Sequence, residues 1–577
     1  MKTFFISLFL IALLVLSMAP SESFAQPADS LVVAALPPGN LNNVILSDTN
    51  ALGQRNNPNR VYVLQQTGSV DTTYFLTATI QMKASLKLVG KTNPQTGHPP
   101  VIEPFILPDN SSVGTFFNPM GGDTVSVENL YLIGTRTDGS SVTGICFGTG
   151  GDTVSYYLDH CVVENIGGGG TPNIINTWGT QHIKLFITNC EFRNNQDDTP
   201  QNPGIGWVDP GTYPCDTAIF RNNTFFIFGG TVIGSGGYIG YLDFEHNTVF
   251  FTTKGGAFTI PQLWNATLKN NIFFSCNSTG LDTAHVNEAS VQNANFYTYP
   301  AIIELDTLST IKDAPLSITE AMRTITVTNN AYFWPAPIVA NWASLNANGA
   351  GTTYGQIDPS IWEASTVPGM YTNKTTWPGI NVTNNDSVDP GFNSTLVSQV
   401  SDSMANFVNV CWAQGTGLNS RPFWNLSDPI NMFALVPSNW ASNSIYPVPE
   451  NLRYSNTALQ HAGSDGKALG DLNWFPEQIT GVVKKVNSLP TKFSLSQNYP
   501  NPFNPSTVIS YTIPKSGNIT LKIYNILGQE VATAFQGFQT AGSYTANFDA
   551  SRLASGVYFY RLQAGQFNET KKMMLMK

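Results

Sequence analysis

A short pattern of alternating apolar and polar residues recurs through the middle of the chain. Each copy ends in Asn, or a small substitute, followed by an apolar-x-apolar step. The second residues of these copies are Asn129, Cys161, Cys190, Asn223, Asn247, Asn271 and Asn330. Successive copies are 32, 29, 33, 24, 24 and 59 residues apart, and the last step is long enough for two turns. A period that drifts above a fixed minimum is typical of a coil whose turns carry inserted loops.

The tightest copies predict the course of one turn. After Asn223 come apolar segments at residues 224–228, 231–233 and 241–245, separated by Gly-rich corners. Three short strands per turn predict a right-handed parallel β-helix, in which equivalent residues stack at about 4.8 Å. Asn in one corner of every turn can hydrogen-bond its neighbours and adopt the left-handed backbone of a tight corner. An Asn-rich linker, the alternative, would not place Phe, Val and Ile at alternating positions.

The chain before and after the repeat divides into further segments. Residues 1–25 have Lys2, an apolar run and Ser-Phe-Ala before Gln26, which predicts a secretory signal peptide cleaved after Ala25. No other segment has the length and apolar character to span a bilayer. We assign residues 36–340 to the β-helix, with its first, irregular turns covered at the end. Residues 341–475, with short helical segments at 402–408 and 428–435, form either the closing cap of the coil or a small separate module.

The last part of the chain changes to a clean two-residue alternation. After a linker at residues 476–494, Ile519, Leu521 and Ile523 share one face of a strand and Thr520 lies on the other. Glycines separate several such strands, which predicts a small antiparallel β-sandwich over residues 495–577. The predicted fold class is therefore all-β, a right-handed parallel β-helix followed by this sandwich.

The same tail carries several long motifs in a fixed order. They are Asn-Tyr-Pro-Asn-Pro-Phe-Asn-Pro at 498–505, Ile-Tyr-Asn-Ile-Leu-Gly-Gln-Glu at 523–530, Leu-Ala-Ser-Gly-Val-Tyr-Phe-Tyr at 553–560 and Lys-Lys-Met-Met-Leu-Met-Lys at 571–577. This tail closely resembles the type A C-terminal sorting domain of the type IX secretion system. The resemblance implies passage through the outer membrane, removal of the tail by a sortase-like peptidase, and then release or attachment to the cell surface.

Composition narrows the range of partners. Only 11% of the residues are charged and the formal net charge is -10, so a nucleic-acid partner is excluded, since it would need a basic face. The six cysteines show no CxxC or Cys/His spacing, which argues against zinc. Cys161 and Cys190 occupy equivalent positions in the repeat, and we expect a buried pair of thiols rather than a disulfide.

Candidate chemistry lies on one sheet of the predicted coil. Aligned strands place Trp178, Trp207 and Asp209 on one exposed face, with His182, Tyr213 and Trp264 at its rim. Aromatic rings beside amides and a carboxylate suit sugars, because C–H groups stack on a ring while hydroxyls take polar partners. The tryptophans could equally be ordinary packing residues of the coil.

The repeat also resembles the pectate-lyase-like β-helix superfamily, which includes polysaccharide lyases and hydrolases. The candidate acids are Asp197, Asp198 and Asp209, with Arg193 as the nearest cation in sequence. Acid/base catalysis by paired carboxylates is one reading, and a solvated turn is the other. Calcium is implied only if the protein is a lyase, and no other cofactor is implied.

Three hypotheses follow for the exported protein. The first is a cell-surface or released protein that binds an extracellular polysaccharide. The second is a polysaccharide lyase or glycoside hydrolase that acts on a uronate-containing glycan through these acids. The third is a passive surface or adhesive protein whose coil presents loops.

Overall fold

The chain forms two compact units, residues 1–479 and 480–577, which are described separately. This computed structural model describes residues 29–50, 54–66, 71–82, 84–105, 107–108, 113–134, 145–148, 151–166, 173–176, 180–195, 208–209, 215–228, 232–234, 239–252, 258–259, 263–278, 281–282, 301–305, 319–348, 357–358, 361–365, 369–413, 450–478, 492–498, 501–514, 517–539, 542–550, 553–565 and 567–576. The expected signal peptide at residues 1–25 lies outside these ranges.

The first unit is a parallel β-helix, as predicted. Its strands stack in three parallel sheets, which we call A, B and C. Sheet A consists of Ser30–Val33, Val61–Gln65, Leu86–Lys91, Thr124–Glu128, Ser155–Asp159, Ile183–Thr188, Cys215–Arg221, Ile239–Glu245, Leu263–Lys269, Thr324–Thr328 and Ile380–Thr383. Sheet C consists of Thr73–Leu76, Val101–Pro104, Tyr131–Ile133, Val162–Glu164, Glu191–Asn195, Thr224–Phe228, Thr248–Thr252, Ile272–Phe274, Ala331–Phe333 and Asp386–Ser387.

Sheet B is shorter and has a smaller companion. Sheet B consists of Ile80–Gln81, Thr115–Asn118, Ile145–Phe147, Asn173–Asn176 and Val208–Asp209, and the next turns contribute the paired strands Ile233–Gly234 and Phe258–Thr259. Two further pairs join Leu281–Asp282 to Ile357–Asp358 and Ala301–Leu305 to Ile361–Ser365. Each regular turn therefore runs from sheet A through a tight corner to sheet C and then to sheet B.

The corner between sheets A and C uses two successive residues for two different tasks. The first residue adopts the left-handed conformation, for example Asn222 at φ 54° and His246 at φ 53°. The second residue is buried and hydrogen-bonds the next turn: the Asn247 side-chain oxygen accepts from the Asn223 side-chain nitrogen at 2.9 Å. The same bond joins Asn271 to Asn330 at 2.8 Å. The predicted Asn ladder is thus present, with the backbone strain carried by the preceding residue.

Three details of the repeat differ from the sequence alignment. In the first copy Asn129 is the left-handed residue (φ 54°), so the buried position is taken by Leu130 and the alignment there was wrong by one residue. The 59-residue step is a single turn with a long insertion, because Asn265 pairs directly with Thr324. One further turn follows, in which Asn385 extends the ladder.

The cysteines at the ladder position confirm the expected thiol pair. Cys161 and Cys190 are free and buried, and the Cys161 backbone nitrogen donates to the Cys190 sulfur at 3.4 Å. Sulfur here replaces the Asn oxygen as the acceptor. The other described cysteines, Cys146, Cys215 and Cys276, are also free and buried.

A helix, α1 (Asn40–Ser47), covers the first turns of the coil. Leu41 and Ile45 are buried in the core, and the Asn42 side chain donates to the Ala78 carbonyl at 2.6 Å. The helix thereby covers the apolar interior that the first turn would otherwise leave open.

The segment after the repeat, for which a closing cap or a small separate module was expected, packs on the side of the coil. It contains the helices α2 (Ala336–Ala347) and α3 (Ser394–Ala413) and the 3-10 helices Leu459–His461, Leu472–Trp474 and Pro476–Gln478, and another 3-10 helix, Glu320–Met322, precedes it. Phe226, Phe250 and Phe274 stack on the outer face of sheet C, and Phe392 packs its edge against the last two. This apolar row forms a second core with α2, α3 and residues 450–475.

The second unit is the predicted antiparallel β-sandwich. One sheet consists of Ser494–Leu495, Ser506–Ile513 and Gly542–Asp549, and the other of Gly517–Tyr524, Glu530–Gln539, Gly556–Ala564 and Phe567–Leu575. Ile519, Leu521 and Ile523 are at most 1% exposed, which confirms the face assigned from the alternation.

Candidate functional site

Polar side chains follow one another where the strands of sheet B end. Gln81 pairs in register with Asn118, and Asn176 pairs with Asp209. Gly148 occupies the turn between Asn118 and Asn176, since Phe147 pairs with both Phe117 and Ile175. We call these five positions, Gln81, Asn118, Gly148, Asn176 and Asp209, the sheet-B polar row. The row runs along the coil with one position per turn, about 4.8 Å apart.

The described side chains of the row reach solvent. Gln81 is exposed, Asn118 and Asn176 are partly exposed, and the Asn118 amide donates to the Gln81 side-chain oxygen at 2.8 Å. A Cβ atom on Gly148 would lie 2.9 Å from the Asn118 side-chain oxygen, so a larger residue there would disturb the row. The row offers amide donors and acceptors in three of its five turns, an arrangement that suits a linear, hydroxyl-rich ligand.

An exposed acid–imidazole pair lies in the same part of the coil. His182 follows Asn176 in the same turn, adopts φ 59° and immediately precedes the strand Ile183–Thr188. Its Nδ1 is 2.9 Å from Asp216 Oδ1, and the two side chains are 55% and 35% exposed. The pair lies where two neighbouring strands of sheet A, Ile183–Thr188 and Cys215–Arg221, begin.

The remaining predicted site residues are only partly located. Trp264 is partly exposed at the start of the strand Leu263–Lys269. Three strand spacings along sheet A, about 14 Å, separate its turn from that of His182, so the structure does not bring these two residues together. Asp209 is placed by its backbone alone. Asp197, Asp198, Trp178, Trp207 and Tyr213 lie outside the described residues.

Arg193 cannot serve as the cation of a lyase site on this face. Its side chain is 1% exposed and lies under the segment that covers sheet C. There it makes two bonds to the Glu450 carboxylate, at 2.6 and 2.8 Å, and an ion pair with Glu164 at 3.0 Å. Burial alone would lower the pKa of Arg193, but the two glutamates outweigh it and raise that pKa well above its usual range. Arg193 therefore fastens residue 450 to the coil.

Burial also raises the pKa of other acids under the same segment. Burial, together with the adjacent Glu450, raises the pKa of Glu191 well above its usual value. Burial also raises the pKa of Asp471 to about 7, although its Oδ2 lies 2.7 Å from the Thr224 hydroxyl. Acids buried as deeply as Glu191 and Asp471 affect the stability of the segment that covers sheet C, and a substrate would not reach them. Among the described residues, no cluster of His, Cys, Asp and Glu could hold a metal ion.

The sequence analysis missed an aromatic pair on sheet A. Tyr157 and Phe186 stack on the outer face of sheet A, with ring centroids 4.6 Å apart and planes 2° from parallel, and both are partly exposed. The sequence could have revealed them, because each is an aromatic residue at an outward-facing position of a strand in which polar residues are expected. The sequence analysis considered mainly tryptophans as aromatic contacts for a sugar.

Comparison with known proteins assigns the second unit. Residues 497–576 match the family described as the secretion system C-terminal sorting domain. This match confirms the resemblance of the tail to type IX sorting domains and shows a protein exported to the extracellular space or the outer-membrane surface. No curated protein matches the chain. The helices in the described ranges are all too short or too polar to cross a bilayer.

Proposed function

We propose that this exported protein binds an extracellular polysaccharide along the sheet-B polar row. The observation that carries the proposal is the in-register placement of three amides, with Gln81 and Asn118 in adjacent turns and Asn176 two turns further on, after Gly148. A polysaccharide is a linear chain of hydroxyl-bearing units, so one such chain can use several equivalent positions at once.

Neighbouring groups extend this binding face. The His182–Asp216 pair offers a hydrogen-bonding group on the sheet-A side, and the Tyr157–Phe186 pair adds aromatic surface for C–H contacts. Trp178 and Trp207, each two residues from a position of the row in sequence, remain predicted contacts.

Affinity gel electrophoresis of the full chain against neutral and uronate-containing glycans tests the proposal. We expect retardation by at least one glycan, and about a tenfold or greater weakening in Asn118→Ala/Asn176→Ala, since each buried or ligand-bound amide contributes about 0.5–1.5 kcal/mol. The matched control is Asn381→Ala, an exposed amide at the far end of sheet A, which should bind as wild type. Trp207→Ala tests the predicted aromatic contact.

The same preparations distinguish binding from catalysis. Unsaturated products that absorb in the ultraviolet, or new reducing ends, would show a lyase or hydrolase, and their loss in Asp198→Asn would assign the acids Asp197, Asp198 and Asp209. Retardation without products supports binding alone. If no glycan retards the chain, the proposal is wrong and a passive surface role is left.

A further inference from the structure

The turn at residues 525–529 of the sandwich carries the two most exposed large apolar side chains among the described residues. Ile526 is 71% exposed and Leu527 is 77% exposed. They are adjacent in sequence and lie between the strands Gly517–Tyr524 and Glu530–Gln539. We call these two residues the Ile-Leu tip.

The turn that carries the tip is held in one conformation. The Asn525 side-chain oxygen accepts from the backbone nitrogens of Leu527, at 2.9 Å, and Gln529, at 3.0 Å. The Asn525 amide also donates to the Gln529 side chain at 2.9 Å. Gly528 takes the left-handed conformation at φ 77° that closes the turn. A surface ordered in advance loses little conformational entropy when it binds.

Packing of the sandwich does not account for the tip. The core of this unit is formed by inward residues such as Leu521, Tyr560 and Leu562, and neither tip residue belongs to it. Below the tip, Lys522 and Glu530 form an exposed ion pair at 2.9 Å, so polar residues are tolerated at this end of the sheet. Two large apolar side chains that fold against nothing are typical of a binding surface.

We propose that the Ile-Leu tip is the element that docks the sorting domain into an apolar pocket on a protein of the export machinery. The tip lies within residues 497–576, which match a secretion sorting domain, and sorting requires that a component of the secretion system recognises this unit. A narrow, rigid and apolar projection fits a concave apolar pocket, because a flat or charged surface would leave most of its area in water. This inference does not depend on the proposed polysaccharide binding.

Export of the full-length Ile526→Ser/Leu527→Ser variant in a bacterium with type IX secretion tests the proposal. We expect protein at the surface and in the medium to fall about tenfold or more, with retention in the periplasm, because a pair of central apolar contacts supplies at least one factor of ten in affinity. The control Met322→Ser removes an apolar side chain that is 52% exposed on the first unit, and its export should equal wild type. Asn525→Ala, which loosens the turn but keeps both side chains, should show an intermediate loss.

Two further measurements assign the cause. The thermal midpoint of the purified double variant should equal that of wild type, which excludes misfolding as the reason for retention. Wild-type export of the double variant would overturn the proposal. So would sedimentation of the purified wild type with phospholipid vesicles, or its self-association, if either depends on the tip, because the occupant would then be a membrane or a second copy. Glycan retardation should be unchanged in the double variant.

Discussion

Replacing Asn247 by alanine should destabilise the coil strongly. The Asn247 side chain is fully buried and its oxygen accepts from the backbone nitrogen of Asn223 at 3.0 Å. Its nitrogen donates to the Phe220 carbonyl at 3.0 Å. Alanine leaves the Asn223 N–H buried without this acceptor and removes one donor from the Phe220 carbonyl, at a position where the surrounding strands exclude water.

The size of the effect follows from those two groups. An orphaned buried donor costs about 1–3 kcal/mol and a lost hydrogen bond about 0.5–1.5 kcal/mol, so the Asn247→Ala variant should lose about 1.5–4.5 kcal/mol. Cysteine at the same position should cost less, because sulfur can accept the Asn223 N–H. The chain itself provides the precedent, since the Cys190 sulfur accepts from the Cys161 backbone nitrogen. The bond to the Phe220 carbonyl would then still be lost.

Urea unfolding of the two variants and the wild type measures the difference. We expect the unfolding midpoints to fall in the order wild type, Asn247→Cys, Asn247→Ala, with an unchanged slope if unfolding stays cooperative. Hydrogen exchange followed by mass spectrometry should show faster exchange in Asn247→Ala for the peptide that contains Asn223. Equal midpoints for the cysteine and alanine variants, with the Asn223 amide still protected, would refute the reasoning.

Three further predictions concern charge, backbone space and export. Burial raises the pKa of Asp471 from its ordinary 3.8 to about 7, so the folded chain holds a proton that the unfolded chain releases, and the free energy of unfolding should fall as the pH rises from about 4 to 7. Asp471→Asn should reduce this loss in urea titrations at several pH values, and an unchanged pH dependence would contradict the prediction. A Cβ on Gly90 would lie 1.9 Å from the Asn129 carbonyl oxygen, so Gly90→Ala should prevent or severely weaken folding, whereas Gly97→Ala, with open space but φ 78°, should cost only about 1 kcal/mol by thermal melting. Deletion of residues 495–577 should trap the protein in the periplasm, and surface display of the truncated chain in cell fractionation would contradict the sorting assignment.

The parts of the fold that could be predicted are those in which one residue type has one structural role. Phe and Ile at alternating positions beside Asn223 and Asn247 located the strands, because only inward residues of a coil need that spacing. The alternation of the tail located the sandwich for the same reason. Asn129 misled the alignment because Asn suits both the left-handed corner and the buried ladder position, and spacing alone cannot separate the two roles.

Other features depend on contacts between distant parts of the chain. The long step from Asn271 to Asn330 does not reveal whether it holds two turns or one turn with an insertion, since both satisfy the same count. The segment that covers sheet C, which we call the lateral cover, could have been inferred from Phe226, Phe250 and Phe274. These residues place aromatic side chains on the outer face of sheet C. The polar row was partly predicted through Asp209.

The candidate acids show the limit of sequence proximity. Arg193 is four residues from Asp197, yet its strand turns it beneath the lateral cover, where Glu450 pairs with it from more than two hundred residues away. The partner of a buried arginine depends on how distant segments pack together, and a local sequence pattern does not contain that information. The aromatic pair of Tyr157 and Phe186 was visible in the sequence only once the strands of sheet A had been aligned.

The long insertion after Asn271 shows that the spacing between turns is set by the ladder hydrogen bonds and does not depend on the number of residues in a turn. The Asn271–Asn330 bond, 2.8 Å long, spans 59 positions, and the Asn223–Asn247 bond, 2.9 Å long, spans 24. Loops of unrelated size can thus leave the prism at its corners without changing its pitch. A protein built in this way can acquire new surface specificities by exchanging corner loops, while the scaffold that is exported and displayed stays the same.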